Sequence, residues 1–167
     1  SGGGILLDQG IHMLDLVQYL APGNFDVIFS KIKTLFWDIE FEDNAFITME
    51  SSDGVIATVH SSATQWKHKF LLELSFENGF ITLDGLLSST RSYTPETLII
   101  GRREFEDVTF AMGKPKETII HFENDDSWRL ELDEFVKCIR YGNTVKNGSL
   151  EDAQKVVRLI DQIYKQN

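Results

Sequence analysis

A chain of 167 residues with 42% hydrophobic and 25% charged residues has a globular composition and the length of one domain. Its 26 acidic and 16 basic residues leave a net charge of −10, which repels phosphate backbones and disfavours generic nucleic-acid binding. The single cysteine, Cys138, has no partner for an internal disulfide, no Cys/His cluster shows zinc spacing, and no apolar run approaches the ~20 residues of a membrane span. Ser1-Gly2-Gly3-Gly4 lacks the charged and apolar regions of a secretory signal, so a soluble, cytoplasmic protein is expected.

The first predicted element is a helix from about Asp8 to Leu20, stopped by Ala21-Pro22-Gly23-Asn24. From Phe25 to about Phe122 the texture is that of strands and tight turns. Phe25–Trp37 is rich in β-branched and aromatic residues. Ala45–Glu50 and Val55–Ser62 flank Asp53-Gly54, and Phe70–Phe76 and Phe80–Leu83 flank Asn78-Gly79, both hairpin signals. Shorter strands are expected at Leu98–Ile100 and Glu117–Phe122. Two helices close the chain. One, capped at Asp126 or Ser127, repeats Trp128, Leu132, Phe135, Val136 and Ile139 at helical spacing as far as Tyr141, with Cys138 among its apolar positions. The other opens on Ser149 with Glu151 and Asp152 in its first turn and carries Ala153, Val156, Val157, Ile160 and Ile163 as its apolar stripe. Helix, strands, then two helices reads as one α+β domain over residues 1–167, an open, largely antiparallel sheet with helices on one face.

The chemistry concentrates in the first helix. At ~100° per residue, Asp8, His12, Asp15 and Tyr19 share an arc of about 60° on a helix that Ile11, Leu14 and Val17 would anchor in a core. Polar groups on a buried helix need partners, either inside the fold or in a bound ligand. The pattern alone leaves both open: His12 is a core histidine held between Asp8 and Asp15, or it faces a ligand. A metal site is disfavoured because spacing places no third ligand. The run Gly2–Gly4 is either inert or a loop whose backbone approaches a ligand closely.

Gly3-Gly4-x-Leu6-x-Asp8-x-Gly10-x-His12-x-x-Asp15 resembles the start of the C-terminal domain of the Gfo/Idh/MocA oxidoreductases, which include glucose–fructose oxidoreductase, inositol dehydrogenases and nucleotide-sugar dehydrogenases. Leu132-x-x-Phe135-x-x-x-Ile139-x-x-Gly142 and Ser149–Ala153 through Ile160-Asp161-x-Ile163-Tyr164 resemble that domain's closing helices, so the likeness spans essentially the whole chain. It implies a glyceraldehyde-3-phosphate-dehydrogenase-like C-terminal domain that binds substrate and mediates oligomerisation. It implies that His12 and Asp8 are catalytic, with Asp15, Gly3 and Gly4 binding a sugar or polyol substrate. The cofactor, NAD or NADP, belongs to the intact protein. This chain has no G-x-G-x-x-G before a helix, so the fragment itself is expected to bind no cofactor and to be inactive. Gly113-Lys114-Pro115 superficially resembles the family's Glu-Lys-Pro but follows the Asp–His element instead of preceding it, and reads as a turn.

His60, Trp66, His68, Arg91 and Tyr93 are further polar-aromatic residues that could face a sugar. The competing reading is a non-catalytic oligomerisation or binding module of the same descent. In either case the sheet face opposite the helices, where Leu71, Glu73 and Ser75 alternate with Leu72 and Leu74, is expected to build a homodimer or homotetramer.

Overall fold

The computed structural model describes residues 3–88, 90–103 and 115–167. Gly2, Gly113 and Lys114 therefore lie outside the described residues. The chain forms two compact units, residues 1–64 with 142–167, and residues 65–141.

The first unit opens with a five-residue π-helical segment, Leu6–Gly10, which runs directly into α1, Ile11–Leu20. The helix thus begins two residues earlier than the sequence pattern suggests. The π turn, with its i→i+5 hydrogen bonds, places Asp8 by a wider spacing than the α period used to align it with His12. Three antiparallel strands follow in the order β1-β2-β3: Phe25–Lys33, Asn44–Ser51 and Ile56–Ser62. The first strand stops four residues short of Trp37 because the chain turns out into a loop. The β2–β3 turn closes where Asp53-Gly54 indicates, with Gly54 N–H donating to Ser51 O at 2.9 Å. The last helix of this unit, α3, spans Leu150–Lys165. Its N-terminus is a full capping box: Asp152 N–H donates to Ser149 Oγ, and Ser149 N–H donates back to the Asp152 carboxylate.

Period-two alternation sets the core. Ala45, Ile47 and Met49 from β2, Val59 from β3 and Phe25 from β1 face inward, where Leu6, Leu14, Val156, Leu159, Ile160 and Ile163 close over them. Outward positions such as Phe46, Glu50, Thr58 and His60 are exposed. The edge of β1 is covered by side-chain amides from the end of α3. Val27 N–H donates to Gln162 Oε1 at 3.0 Å, Gln166 Nε2 donates to Val27 O at 3.1 Å, and Ile32 N–H donates to Asn167 Oδ1 at 3.2 Å. Backbone groups that would otherwise invite a foreign strand are thereby satisfied within the fold.

The second unit holds four antiparallel strands in sequential order: β4 (Leu71–Phe76), β5 (Gly79–Asp84), β6 (Thr97–Arg102) and β7 (Glu117–His121). Phe76 pairs with Gly79, so Glu77-Asn78 form the turn and Gly79 already begins β5, one residue out of step with an Asn-Gly turn. Register aligns Leu72, Leu83, Leu98 and Ile120 in one row and Leu74, Ile81, Ile100 and Thr118 in the next on the same face. Helix α2 spans Ser127–Tyr141 and has no buried residue; Trp128, Leu132, Phe135 and Ile139 are all exposed. Ahead of it Ser127 N–H donates to Asp125 Oδ1 at 3.0 Å, whereas the Asp126 carboxylate pairs with Arg129.

The class is α+β with antiparallel strands, as expected. The strands divide between two sheets instead of forming one, and the helical layer on the first sheet is built by α1 and α3. If the core lies where the burial places it, Leu14→Ala destabilises the chain by about 2–5 kcal/mol, whereas loss of the cap in Ser149→Ala costs about 1 kcal/mol. Urea denaturation of the two variants measures both.

Candidate functional site

The opening helix divides its residues sharply. Leu6 and Leu14 are fully buried, and Ile11, Met13 and Val17 pack against the same core. Asp8, His12, Asp15 and Tyr19 are all exposed on the other side. Exposure disposes of the core-histidine alternative, and no hydrogen bond joins His12 to Asp8 or Asp15 among the described residues. Asp8 Oδ2 instead accepts from the neighbouring Gln9 amide at 3.0 Å. The helix therefore presents two carboxylates, an imidazole and a phenol to solvent from a rigidly seated backbone.

The seat itself depends on a residue that no local pattern indicates. Glu42 is buried at 8% exposure, and its Oε1 accepts Gly4 N–H at 3.1 Å, Leu6 N–H at 3.2 Å and the Tyr164 hydroxyl at 2.9 Å. Its backbone oxygen accepts Ile5 N–H at 2.9 Å. Three successive amides at the start of the helix, which have no partners within it, thus end on one residue. A negative charge here also complements the positive end of the helix dipole. Position 4 must be glycine, because a Cβ there would overlap the Glu42 carbonyl oxygen and reach 2.7 Å from its carboxylate. Gly3 is close-packed too, with Leu7 and the Tyr164 hydroxyl 3.0 Å from where a Cβ would sit. Gly10 is buried where the π segment passes Ser61 of β3.

Next along the chain, Asp43 organises the β1–β2 loop, residues 34–43. At 1% exposure it accepts Leu35 N–H and Phe36 N–H, both at 2.8 Å, Trp37 N–H at 3.0 Å and the Asn44 amide at 3.1 Å. Burial pushes its carboxyl upward, but these four donors outweigh burial and hold it well below the usual carboxylate range. Asn44 Nδ2 also donates to Thr64 Oγ1, so its Oδ1 is an acceptor, and His60 Nε2 donates to it at 3.2 Å. His60 therefore carries a proton on Nε2. Its ring stacks on Phe46, centroids 4.2 Å apart, on the outer face of the first sheet.

The other sequence candidates belong to the second unit. His68 and Tyr93 meet edge to face at 5.2 Å, Arg91 has a left-handed backbone with φ of 52°, and Trp66 is 91% exposed. A cavity of about 470 Å³ in this unit is lined by Phe76, Glu77, Phe80, Arg102 and Arg103 among others, and by none of the predicted site residues. Among the described residues no group of three or more His, Cys, Asp or Glu is placed to hold a metal ion, and no helix is long and apolar enough to cross a membrane.

Residues 1–82, which hold the opening helix, Glu42 and Asp43, match the model of the GFO/IDH/MocA C-terminal domain. No curated protein matches the chain. Among solved structures, the GFO/IDH/MocA segment and the remainder of the chain together share the fold of an aldose–aldose oxidoreductase from Caulobacter crescentus, complexed with glycerol. The TM-score is 0.75 at 22% identity, over 99% of this chain and 46% of that one. A UDP-N-acetylglucosamine 3-dehydrogenase from Acidithiobacillus ferrooxidans gives 0.70 at 14% identity, over 96% and 46%. The WlbA dehydrogenase from Bordetella pertussis, in complex with NADH and UDP-GlcNAcA, gives 0.67 at 18% identity, over 98% and 43%. The chain thus spans less than half the length of each of these structures.

The Glu42 contact has a direct signature. Burial, and then the hydrogen bond to Glu42 and its negative charge, push the Tyr164 hydroxyl up to about 12. A phenol whose folded value lies above its unfolded one favours folding fully below pH ~10, and loses that contribution as pH rises through the folded value. Alkaline titration followed by tyrosinate absorbance is expected to show a step near pH 12 that Tyr164→Phe removes.

Proposed function

We propose that this chain is the substrate-binding half of a cytoplasmic NAD(P)-dependent dehydrogenase that oxidises a hydroxyl of a sugar, polyol or nucleotide-sugar. The observation that carries the reading is the exposed row Asp8, His12, Asp15 on a helix whose opposite side is fixed in the core. The three solved structures named above, two of which act on nucleotide-sugars or aldoses by name and one of which holds NADH with a nucleotide-sugar, support the substrate class.

Among the described residues, the start of the opening helix offers a dinucleotide no phosphate site. The amides at the start of the opening helix would be its natural anion site, but those of Gly4, Ile5 and Leu6 already end on Glu42. NAD or NADP is therefore assigned to a part of the intact protein outside this chain, where it supplies the hydride acceptor. The residues here handle the substrate and its proton. His12 accepts the proton of the reacting hydroxyl, a general-base task that an imidazole performs. Asp8 orients that hydroxyl and Asp15 accepts a bond from another, since hydroxyl-rich ligands call for acceptors. Gly3 and Gly4 serve the substrate indirectly, by letting the chain pass close to Glu42 and Tyr164 and so seating the helix that carries Asp8. The face of the second sheet that carries Leu71, Glu73 and Ser75, all exposed, favours association into a homodimer or homotetramer through that sheet.

In the intact protein, screened against polyols, aldoses and nucleotide-sugars with NAD and NADP, His12→Asn is expected to lower kcat about 10²–10⁴-fold while KM changes little. The 167-residue chain alone should bind neither dinucleotide by calorimetry. An intact protein inert towards the whole panel, or a His12→Asn variant with undiminished kcat, contradicts the proposal.

A further inference from the structure

The sequence contains two Asn-Gly pairs, Asn78-Gly79 and Asn147-Gly148, and the fold treats them oppositely. An asparagine loses its side-chain amide when the backbone nitrogen of the next residue attacks Cγ. Glycine is the most permissive residue in that next position, because it has no Cβ to block the approach or restrict the backbone. Both asparagines are exposed, so access to water does not separate them. The backbone does. Gly79 is the first residue of β5, paired with Phe76 on one side and Arg102 on the other, and a Cβ there would lie 2.1 Å from the Gly101 carbonyl oxygen. The Asn78 carbonyl oxygen accepts Arg103 N–H at 2.9 Å. Turning the Gly79 nitrogen onto the Asn78 side chain would disrupt strand pairing on both sides. Asn147-Gly148, in contrast, lies in a bend of the segment that joins α2 to α3, outside every helix and strand. Gly148 has a left-handed φ of +66° with open space where a Cβ would sit, and its N–H makes no hydrogen bond among the described residues.

We infer that Asn147 is a site of spontaneous deamidation in the folded protein and that Asn78 is not. The site is independent of the function proposed above. The Gly148 nitrogen gives up its proton to solvent base and bonds to Asn147 Cγ; the Cγ–Nδ2 bond breaks, and ammonia leaves behind a succinimide ring. Water then opens the ring. Cleavage of the new N–Cγ bond yields aspartate on the native backbone. Cleavage at the main-chain carbonyl yields isoaspartate, in which the chain runs through Cγ and is longer by a methylene. Either way a water enters and an ammonia departs, with no change of oxidation state. The position gives the reaction a structural consequence. Ser149 caps α3 reciprocally with Asp152, and Asn147 and Gly148 are the residues just before it. An added negative charge there suits the positive end of the helix dipole, so the aspartate form is tolerated. The extra methylene of isoaspartate instead shifts the entry of the chain, and with it the extended Ser149 backbone on which the cap depends. Because α3 supplies Val156, Leu159, Ile160 and Ile163 to the core, the isoaspartate form is the less stable one.

Timed incubation of the protein at mildly alkaline pH, followed by peptide mapping, tests this. Each deamidated peptide gains the mass difference between an amide and an acid, and an isoaspartyl methyltransferase labels the isoaspartate carboxyl. Asn147 is expected to convert at least about tenfold faster than Asn78 in the folded protein, and the two at similar rates in concentrated urea, since only the fold distinguishes them. Asn147→Gln should abolish the methyltransferase label on that peptide. In melting curves the isoaspartate fraction, separated by ion exchange, is expected to unfold below the parent, whereas Asn147→Asp, with the same charge on a native backbone, is not. Equal rates at the two sites of the folded protein, or a faster Asn78, overturn the inference. So does a rate difference that survives in urea, because local sequence and not the fold then sets it. An isoaspartate form that melts with the parent contradicts the effect on the cap.

Discussion

One buried carboxylate determines where the helix of interest begins and which way it faces. Glu42 gathers the amides of Gly4, Ile5 and Leu6 from one end of the first unit and the hydroxyl of Tyr164 from the closing helix. A carboxylate can be buried only if donors compensate its lost hydration, and here those donors come from residues 36, 38 and 122 positions away in sequence. The reciprocal demand falls on Gly4, where any side chain would collide with Glu42. Fixing the first turn in this way fixes the phase of everything after it. Leu6 and Leu14 enter the core, so Asp8, His12 and Asp15 must point out.

Two adjacent acids divide the work at this end of the sheet. Glu42 holds the helix and Asp43 holds the loop, each by accepting backbone amides that no regular element satisfies. The outcome is a rigid corner with a polar row on one side and an aromatic cluster on the other. The row has carboxylate acceptors and an imidazole, and the cluster has exposed apolar area. The amides at the end of α3 close the edge of β1 to a foreign strand.

The strand-and-helix plan was legible because it rests on local signals. Asp53-Gly54 and the alternation of β2 and β3 place that hairpin within a residue, and Ser149 with Asp152 names its own capping box. What escaped depends on distant partners or on a change of period. The π segment looks in sequence like an ordinary amphipathic turn, and the α period does not describe the spacing from Asp8 to His12. Glu42 and Asp43 read as surface acids before a strand, and nothing in their spacing ties them to Gly4 or to the amides of residues 35–37. The division of the strands into two sheets was equally hidden, since hairpin signals say which neighbours pair but not where the sheet stops. The stripe of α2 looks like core in sequence, yet every residue on it is at most partly buried in this chain. Of the site, the outward row was readable from the wheel, while its anchor was not.

The central claim is that the outward row of the opening helix meets the reacting hydroxyl. A crystal structure of the intact protein with dinucleotide and a bound polyol or sugar tests it most directly. A ring nitrogen of His12 within about 3 Å of a substrate hydroxyl, and a carboxylate oxygen of Asp8 bonded to the same or the next hydroxyl, is the expected result. A substrate bound elsewhere, with His12 facing only solvent or another subunit, would contradict it.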